Sequence, residues 1–486
     1  MYELARREPM SVPEGIAAPR YDSRAVRPGI VHIGLGGFHR SHFARYTHDL
    51  MEAEPAALSW GIVGAGLRAS DVPLLHALAR QEGLYTLVER DASGERCAVI
   101  GSIVGVIDAS ERASELLAAI ACPETRIVSI TVSEAGYHLD AATKTLDLAS
   151  NAIRRDVSHP RAPKTMPGVL VEAFRRRRDA KLPAFTALSC DNIQHNGNVL
   201  RAAVLALAGE VDSELATWIA DNAAFPSSMV DRITPVPTRD EIARFSERTG
   251  LADQATVFSE AFRQWVIEDN FVCGRPDWSR VGAQFVSDVA PYEAMKLRLL
   301  NASHLAIAGL GALSGYETVE QTMRDAAIRH YMARLMDEET GPLLAPVPGV
   351  DLAEYKATLI ARFQNPAIRD TVARINTDAP VNLLLDPLRD ALAKGAPIAL
   401  LSLGLAAWCL RTSQELSRGK TITGANANPD LQKFRAAEPL ALLSIESVFG
   451  DLGRNTHVIA SMRSWLDQGD SQGIAAMLKR KFGQTG

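Results

Sequence analysis

Gly29-Ile-Val-His-Ile-Gly34-Leu-Gly36-Gly37-Phe38-His39-Arg40 is the stretch from which the fold is read. Its first half is a short apolar run bounded by glycine, the pattern of a buried strand. It runs straight into Gly34-x-Gly36, and a helix is expected to follow through Leu50. A strand that closes on glycines and opens a helix is where a dinucleotide pyrophosphate sits, against bare backbone and the positive helix end. His39 takes the place of the third glycine of G-x-G-x-x-G. A lone G-x-G also marks ordinary tight turns, so the weight falls on context. Trp60–Gly64 reads as a second strand and ends in another glycine-rich turn, Gly64-Ala-Gly66. Further strands are expected at 86–89, 98–100, 126–132 and 184–189, with a helix over 111–121. Strands alternating with helices imply an α/β domain with a mostly parallel sheet and right-handed crossovers. The acid expected about 20 positions on does not end the second strand. The nearest is Asp71, in Leu67-Arg-Ala-Ser-Asp71, which reads equally as the N-cap of the next helix.

The bulk composition narrows the class. A chain of 486 residues is too long for one ordinary core. With 47% hydrophobic and 22% charged residues it has the composition of a soluble globular protein. A net charge of −5 and no basic run longer than Arg175–Arg178 leave no nucleic-acid footprint. Five scattered cysteines without zinc spacing point to free thiols in a reducing compartment and to no metal site. The charged N-terminus, with Glu3, Arg6, Arg7 and Glu8, does not read as a signal peptide. The longest apolar run, Pro397 to Leu410, is too short to span a bilayer and reads as a buried helix. A cytoplasmic protein is expected, with a small-molecule partner; oligomeric state is not legible.

Residues 1–28 are polar and proline-bearing, so a loose arm is expected. An α/β domain follows over 29–288. From 289 to 486 helical periodicity dominates, with helices expected over 292–312, 318–336, 352–363, 367–375, 385–394 and 398–411. The second half is therefore expected to be all-helical.

In open α/β sheets ligands bind beyond the carboxyl ends of the strands. Those ends carry Gly34 and Gly36, then Ser133-Glu134, then Asp191-Asn192. Glu134 suits a proton relay or a helix-start acid; Asn192 suits a ligand contact or a turn. The second half offers Lys296, Asn301 and His304 on one expected helix. At about 100° per residue, His304 lies about 80° round from Lys296 and Asn301 about 140°. A base-capable amine, an amide and an imidazole on one wide face can take a proton from an alcohol and hold the developing oxyanion. The same triple also suits a solvated polar face.

Several segments together resemble the polyol-specific long-chain dehydrogenase (mannitol dehydrogenase) family. They are Ile30–His42, Ser189-Cys-Asp-Asn-Ile-Gln-His-Asn-Gly197, Phe225-Pro-Ser-Ser-Met-Val-Asp-Arg-Ile-Thr-Pro235, Phe262-Arg-Gln-Trp-Val-Ile-Glu-Asp-Asn270 and Met295-Lys-Leu-Arg-Leu-Leu-Asn-Ala-Ser-His304. The resemblance implies a Rossmann-type N-terminal domain with a mostly α-helical C-terminal domain, an NAD cofactor with NADP not excluded, and no metal. It makes Lys296 the general base, Asn192 and Asn301 the pair holding the reacting oxygen, His304 a substrate-orienting residue and Glu134 the gate of a proton path. It makes Gly34, Gly36, Gly37, Phe38, Arg40, Val230 and Asp231 cofactor-side residues, Asp71 the adenosine-ribose acid and Arg374 a substrate-binding arginine. Burial beside a positive nicotinamide is then expected to bring the lysine below its free pKa of about 10.4. Two departures stand out. Ser70 precedes the ribose acid where some members carry a second carboxylate. After Arg374 the chain reads Ile-Asn-Thr-Asp-Ala-Pro380, without the family's lysine. Gly274-Arg-Pro-Asp-Trp278 and Val281-Gly-Ala-Gln-Phe285 favour the D-mannonate/D-fructuronate pair (fructuronate reductase). D-mannitol/D-fructose, or another hexitol or pentitol, is the alternative. A non-catalytic dinucleotide-binding sensor is the reading from a different class.

Overall fold

The computed structural model describes residues 2–7, 10–140, 143–434 and 438–483. The chain divides into two compact units, Met1–Ala290 and Pro291–Gly486.

Five strands form the central sheet of the first unit: β1 Pro28–Ile33, β2 Gly61–Gly66, β3 Ile103–Asp108, β4 Ile127–Ile130 and β5 Thr186–Ser189. Their spatial order is β3-β2-β1-β4-β5, and every neighbouring pair runs parallel. This is the doubly wound Rossmann order, with its switch point between β1 and β4. Side chains alternate across the strands with period two. Val31, Ile33, Val128 and Ile130 pack on one face with Leu116, Leu170, Phe174 and Val204 from the crossover helices. Ile30, Ile62, Ile127 and Leu188 pack on the other with Phe43, Leu50, Leu78 and Trp265. Both faces are apolar because both are covered. Among the described residues three smaller sheets accompany the central one, one of them the two-stranded pair of 2–3 with 251–252. Of the other two, one orders 257–260, 85–91, 94–100 and 16–17; the other orders 228–231, 264–268 and 284–286.

The N-terminal segment departs from the loose arm expected over 1–28. Tyr2–Glu3 pairs in parallel with Leu251–Ala252, and Ile16–Ala17 with Cys97–Ala98. Leu4, Ile16 and Val26 are buried. The Arg6 guanidinium donates to the carbonyls of Glu82, Gly101, Ser23 and Ile103. The polar composition hid three apolar anchors and one internal cation; Glu8 lies outside the described residues.

The second unit is helical. Its longest helix, Ala399–Ser417, is buried through Leu400–Cys409. It packs against Ala302–Leu313 through small residues: an added Cβ on Gly404 would lie 3.0 Å from that of Ala306. The buried Glu339 carboxylate accepts from the N–H groups of Leu400 and Leu401, each at 2.7 Å, and so caps this helix. Two expected helices are corrected. The 318–336 span breaks at Asp325, extended at ψ 114°, which caps the second piece by accepting from Ala327 N–H at 2.8 Å. The 367–375 span starts later, at Val372–Asp378, because Thr371 caps it by accepting from Arg374 N–H. No helix among the described residues is long and apolar enough to cross a membrane.

Candidate active site

In the first unit the site begins at the β1 turn. Gly34 has φ +101°, and a Cβ there would lie 2.0 Å from the Thr131 carbonyl oxygen. Only glycine fits. A Cβ at Gly36 would meet nothing within 4 Å, and one at Gly37 only ordinary contacts, so the turn leaves open space at the switch point. A pyrophosphate fits such bare backbone. His39, in the third-glycine position, is turned inward. Its ring stacks on His32 at 3.4 Å between centroids, and neither ring nitrogen has a hydrogen-bond partner among the described residues. Burial pushes its pKa well below the usual histidine range, so it stays neutral. Phe38 is half-buried and stacks on His42 at 4.9 Å. Arg40 is also turned inward. It donates to the carbonyls of Ala255 and Gly36 and faces the Tyr85 ring, so its guanidinium is committed to the fold.

Asp71 stands just past the end of β2, its Cβ 2.8 Å from the position a Gly66 Cβ would take. It does not cap the helix Val72–Arg80 with its side chain. Its carboxylate accepts instead from the Arg68 guanidinium at 2.9 Å and the Arg68 N–H at 3.2 Å.

Beyond β4 the backbone is strained. Ser133 has φ +63° and ψ 168°, a region nearly reserved for glycine that costs about 1–3 kcal/mol. Glu134 follows, its side chain 60% exposed and paired with Lys144 at 2.9 Å. Beyond β5, Asp191 is buried and Asn192 is exposed. Burial pushes the Asp191 carboxyl up, against the Ser133 and Val132 N–H groups that favour its charged form. Val230 and Asp231 end the strand Ser228–Asp231, and both are buried.

In the second unit the helix expected over 292–312 is present, but its middle is not α. Ala290–Met295 leads into a π turn, Lys296–Asn301, and the α-helix resumes at Ala302–Leu313. The Ala302 N–H donates to the Leu297 carbonyl, an i→i+5 bond. The 100° spacing therefore fails across this segment, and the angles expected from it are corrected. Such π turns recur at functional sites. Lys296 is 8% exposed. The Asn301 side-chain oxygen is buried without a hydrogen-bond partner among the described residues. Leaving it so costs about 1–3 kcal/mol, which a ligand's polar group would recover. His304, one turn on, stacks on Phe363 at 4.5 Å and faces Asp370, Nε2 to Oδ2 at 3.6 Å. Asp370 also grips Arg374 with two bonds of 2.7 Å, and Asp378 lies 3.5 Å from the same guanidinium. Asp370 thus joins His304 to Arg374. Sequence reading passed over it, although its i,i+4 spacing to Arg374 was a usable signal. Among the described residues no group of three or more His, Cys, Asp or Glu is placed to hold a metal ion.

Two family models match the chain: the mannitol dehydrogenase Rossmann domain over residues 28–280 and the mannitol dehydrogenase C-terminal domain over 288–468. The D-mannonate oxidoreductase of Escherichia coli K12 is 41% identical over 480 residues, covering 95% of this chain and 98% of that protein. A mannitol 2-dehydrogenase of Cereibacter sphaeroides is 39% identical over 474 residues, covering 96% and 98%. The structure of Pseudomonas fluorescens mannitol 2-dehydrogenase in ternary complex with NAD and D-mannitol superposes with a TM-score of 0.87 at 37% identity, covering 99% of this chain and 100% of that one. The chain belongs to the mannitol dehydrogenase family and is an oxidoreductase.

Proposed function

We propose that the protein is a metal-independent, NAD-dependent oxidoreductase that interconverts a linear sugar acid or polyol and its keto form, with D-mannonate/D-fructuronate the favoured pair. The observation that carries the substrate choice is the 41% identity, over nearly the full length of both chains, to a protein named D-mannonate oxidoreductase. The cofactor reading rests on the glycine turn at the switch point and on the NAD complex of a 37% identical relative.

When bound, NAD supplies the acceptor for the hydride leaving the carbinol carbon. The chain's own residues do the rest. Lys296, as the neutral amine, accepts the hydroxyl proton, a role a buried amine suits better than a solvated one. Asn192 and Asn301 donate their amide hydrogens to the oxygen as its charge develops. His304, held between Phe363 and Asp370, orients a neighbouring hydroxyl. Glu134, exposed and paired with Lys144, carries the proton onward. Val230 and Asp231 shape the cofactor side, and Arg40 braces the turn that Gly34, Gly36 and Gly37 open.

A second reading, D-mannitol/D-fructose, is favoured by Arg374. Two carboxylates, Asp370 and Asp378, already lie against its guanidinium, which weakens its pull on a substrate carboxylate. An activity panel over hexitols, pentitols and hexonates with NAD(H) and NADP(H) separates the two readings. D-mannonate is expected to give the highest kcat/KM. A hexitol at least tenfold better would overturn the favoured pair and leave the family chemistry standing.

A further inference from the structure

The loops beyond β4 and β5 are tied together by one buried carboxylate, and the Asn196 amide ties the second of them to the strand Ser228–Asp231. Asp191 Oδ1 accepts from the Ser133 N–H at 2.8 Å. Its Oδ2 accepts from the Val132 N–H at 3.2 Å and from the Tyr137 hydroxyl at 2.9 Å. Tyr137 is braced in turn by Ser189 Oγ at 2.6 Å. The Asp191 carbonyl accepts from Asn196 Nδ2 at 2.9 Å, and the same amide donates to the Ser228 carbonyl at 2.8 Å.

This arrangement has a purpose that packing alone does not require. Ser133 adopts a backbone conformation nearly reserved for glycine, and such strain persists only where the surroundings impose it. The imposing group is the Asp191 carboxylate, which takes the N–H groups of Ser133 and of the residue before it in charge-assisted bonds. The residue after Ser133 is Glu134, and the residue after Asp191 is Asn192. One side chain therefore fixes the starting points of two residues to which the proposed reaction assigns proton and oxygen contacts.

We infer that Asp191 is a positioning residue for the reaction: it holds the strained Ser133 turn, and through that turn and its own backbone it aims Glu134 and Asn192. The inference rests on the reading in which Asn192 bonds the reacting oxygen. Misplacing a reacting group by about 1 Å can cost on the order of 10²-fold, so the effect is measurable.

The test is Asp191→Asn, near-isosteric but with an N–H₂ where one acceptor was, made in the parent and in Asn192→Ala, with kcat, KM, NADH affinity and thermal midpoint measured. In the parent, kcat is expected to fall roughly 10- to 100-fold with NADH affinity within about threefold. In the Asn192→Ala background the further loss is expected to be clearly smaller than in the parent, because only the path through Ser133 to Glu134 is left to disturb. Adding Ser133→Gly to Asp191→Asn is expected to recover part of kcat, since glycine takes that conformation unaided. If Asp191→Asn fails to fold, Tyr137→Phe carries the same comparison with a smaller loss. An equal loss in both backgrounds, or a loss that tracks NADH affinity or the thermal midpoint, makes Asp191 merely structural and overturns the inference. If Asn192→Ala alone costs less than about threefold, below the range for a positioned donor, the functional reading itself fails and the inference falls with it.

Discussion

The two units offer their candidate residues by different means. In the first unit the cofactor side of the site is made largely of backbone: a glycine at φ +101°, a serine held at φ +63°, and loops that begin where parallel strands end. In the second it is made of side chains, Lys296, Asn301 and His304, projected from one continuous helix whose register is shifted by a π turn. A strand end presents main-chain donors and open space, which suits binding an extended anionic cofactor. A helix presents titratable and amide groups at fixed spacing, which suits proton transfer. The difference predicts that damage to the glycine turn of the first unit is read first in binding and stability, and damage to the helix of the second in turnover.

The largest effect is expected from Gly34→Ala. The new Cβ would lie 2.0 Å from the Thr131 carbonyl oxygen, at a φ that alanine resists. A loss of about 3 kcal/mol or more is expected, together with loss of NADH binding by fluorescence titration. Binding at the parent level would show that the turn is not the cofactor's seat.

Deleting Leu297 is the matching experiment in the second unit. With one residue removed from the π turn, an α register brings Lys296 about 100° round relative to Asn301 and His304. Helicity by circular dichroism is expected to persist and NADH affinity to stay within about threefold, while kcat falls by on the order of 10²-fold. Retained turnover would show that the π register does not matter to the chemistry.

Acid should weaken the first unit through its buried histidines. Burial lowers the pKa of His32 and of His42 to about 3, and that of His39 well below the ordinary value. A group depressed in this way contributes stability that is full above the unfolded value of about 6.5 and is lost as pH falls toward the folded value. Between pH 6.5 and 5.5 each such histidine is expected to cost about 1 kcal/mol. Urea midpoints across that range measure it. A flat profile would mean that these rings take up protons in the folded state.

The smallest effect is expected from Asp71→Ala. The Asp71 carboxylate is positioned beyond β2, beside Arg68, where an acid bonds the adenosine-ribose hydroxyls and disfavours a 2′-phosphate. The ratio of kcat/KM for NAD over NADP is expected to narrow by up to about tenfold, near 1.4 kcal/mol. An unchanged ratio would leave Asp71 as a local partner of Arg68.

What sequence could reveal follows the same division. The glycine turn was legible because a φ that only glycine accepts leaves a glycine in the chain. The helical second half was legible from its periodicity. The π turn was not: Lys-Leu-Arg-Leu-Leu-Asn is made largely of good α-helix formers, and only the hydrogen-bond register distinguishes the two. The strain at Ser133 was not legible either, because it is imposed by Asp191 from another strand end. The segment 1–28 read as loose because its anchors are strand edges far along the chain, at Leu251–Ala252 and Cys97–Ala98. The roles of Lys296, Asn192, Asn301 and His304 came from resemblance to a family rather than from spacing, since Lys296, Asn301 and His304 on one helix also suit a solvated face and Asn192 also suits a turn.

Lys296→Ala, followed by kcat and by NADH titration on the same preparation, tests most directly that the second unit supplies the chemistry. Turnover is expected to fall by about 10²–10⁴-fold while NADH affinity stays within about threefold of the parent. The rate of alcohol oxidation by the parent is expected to rise with pH, because only the neutral amine accepts a proton, and to be unchanged by EDTA. A variant that keeps more than roughly a third of the parental rate, far outside that range, or a parent that loses activity on chelation and regains it with zinc, would contradict the account.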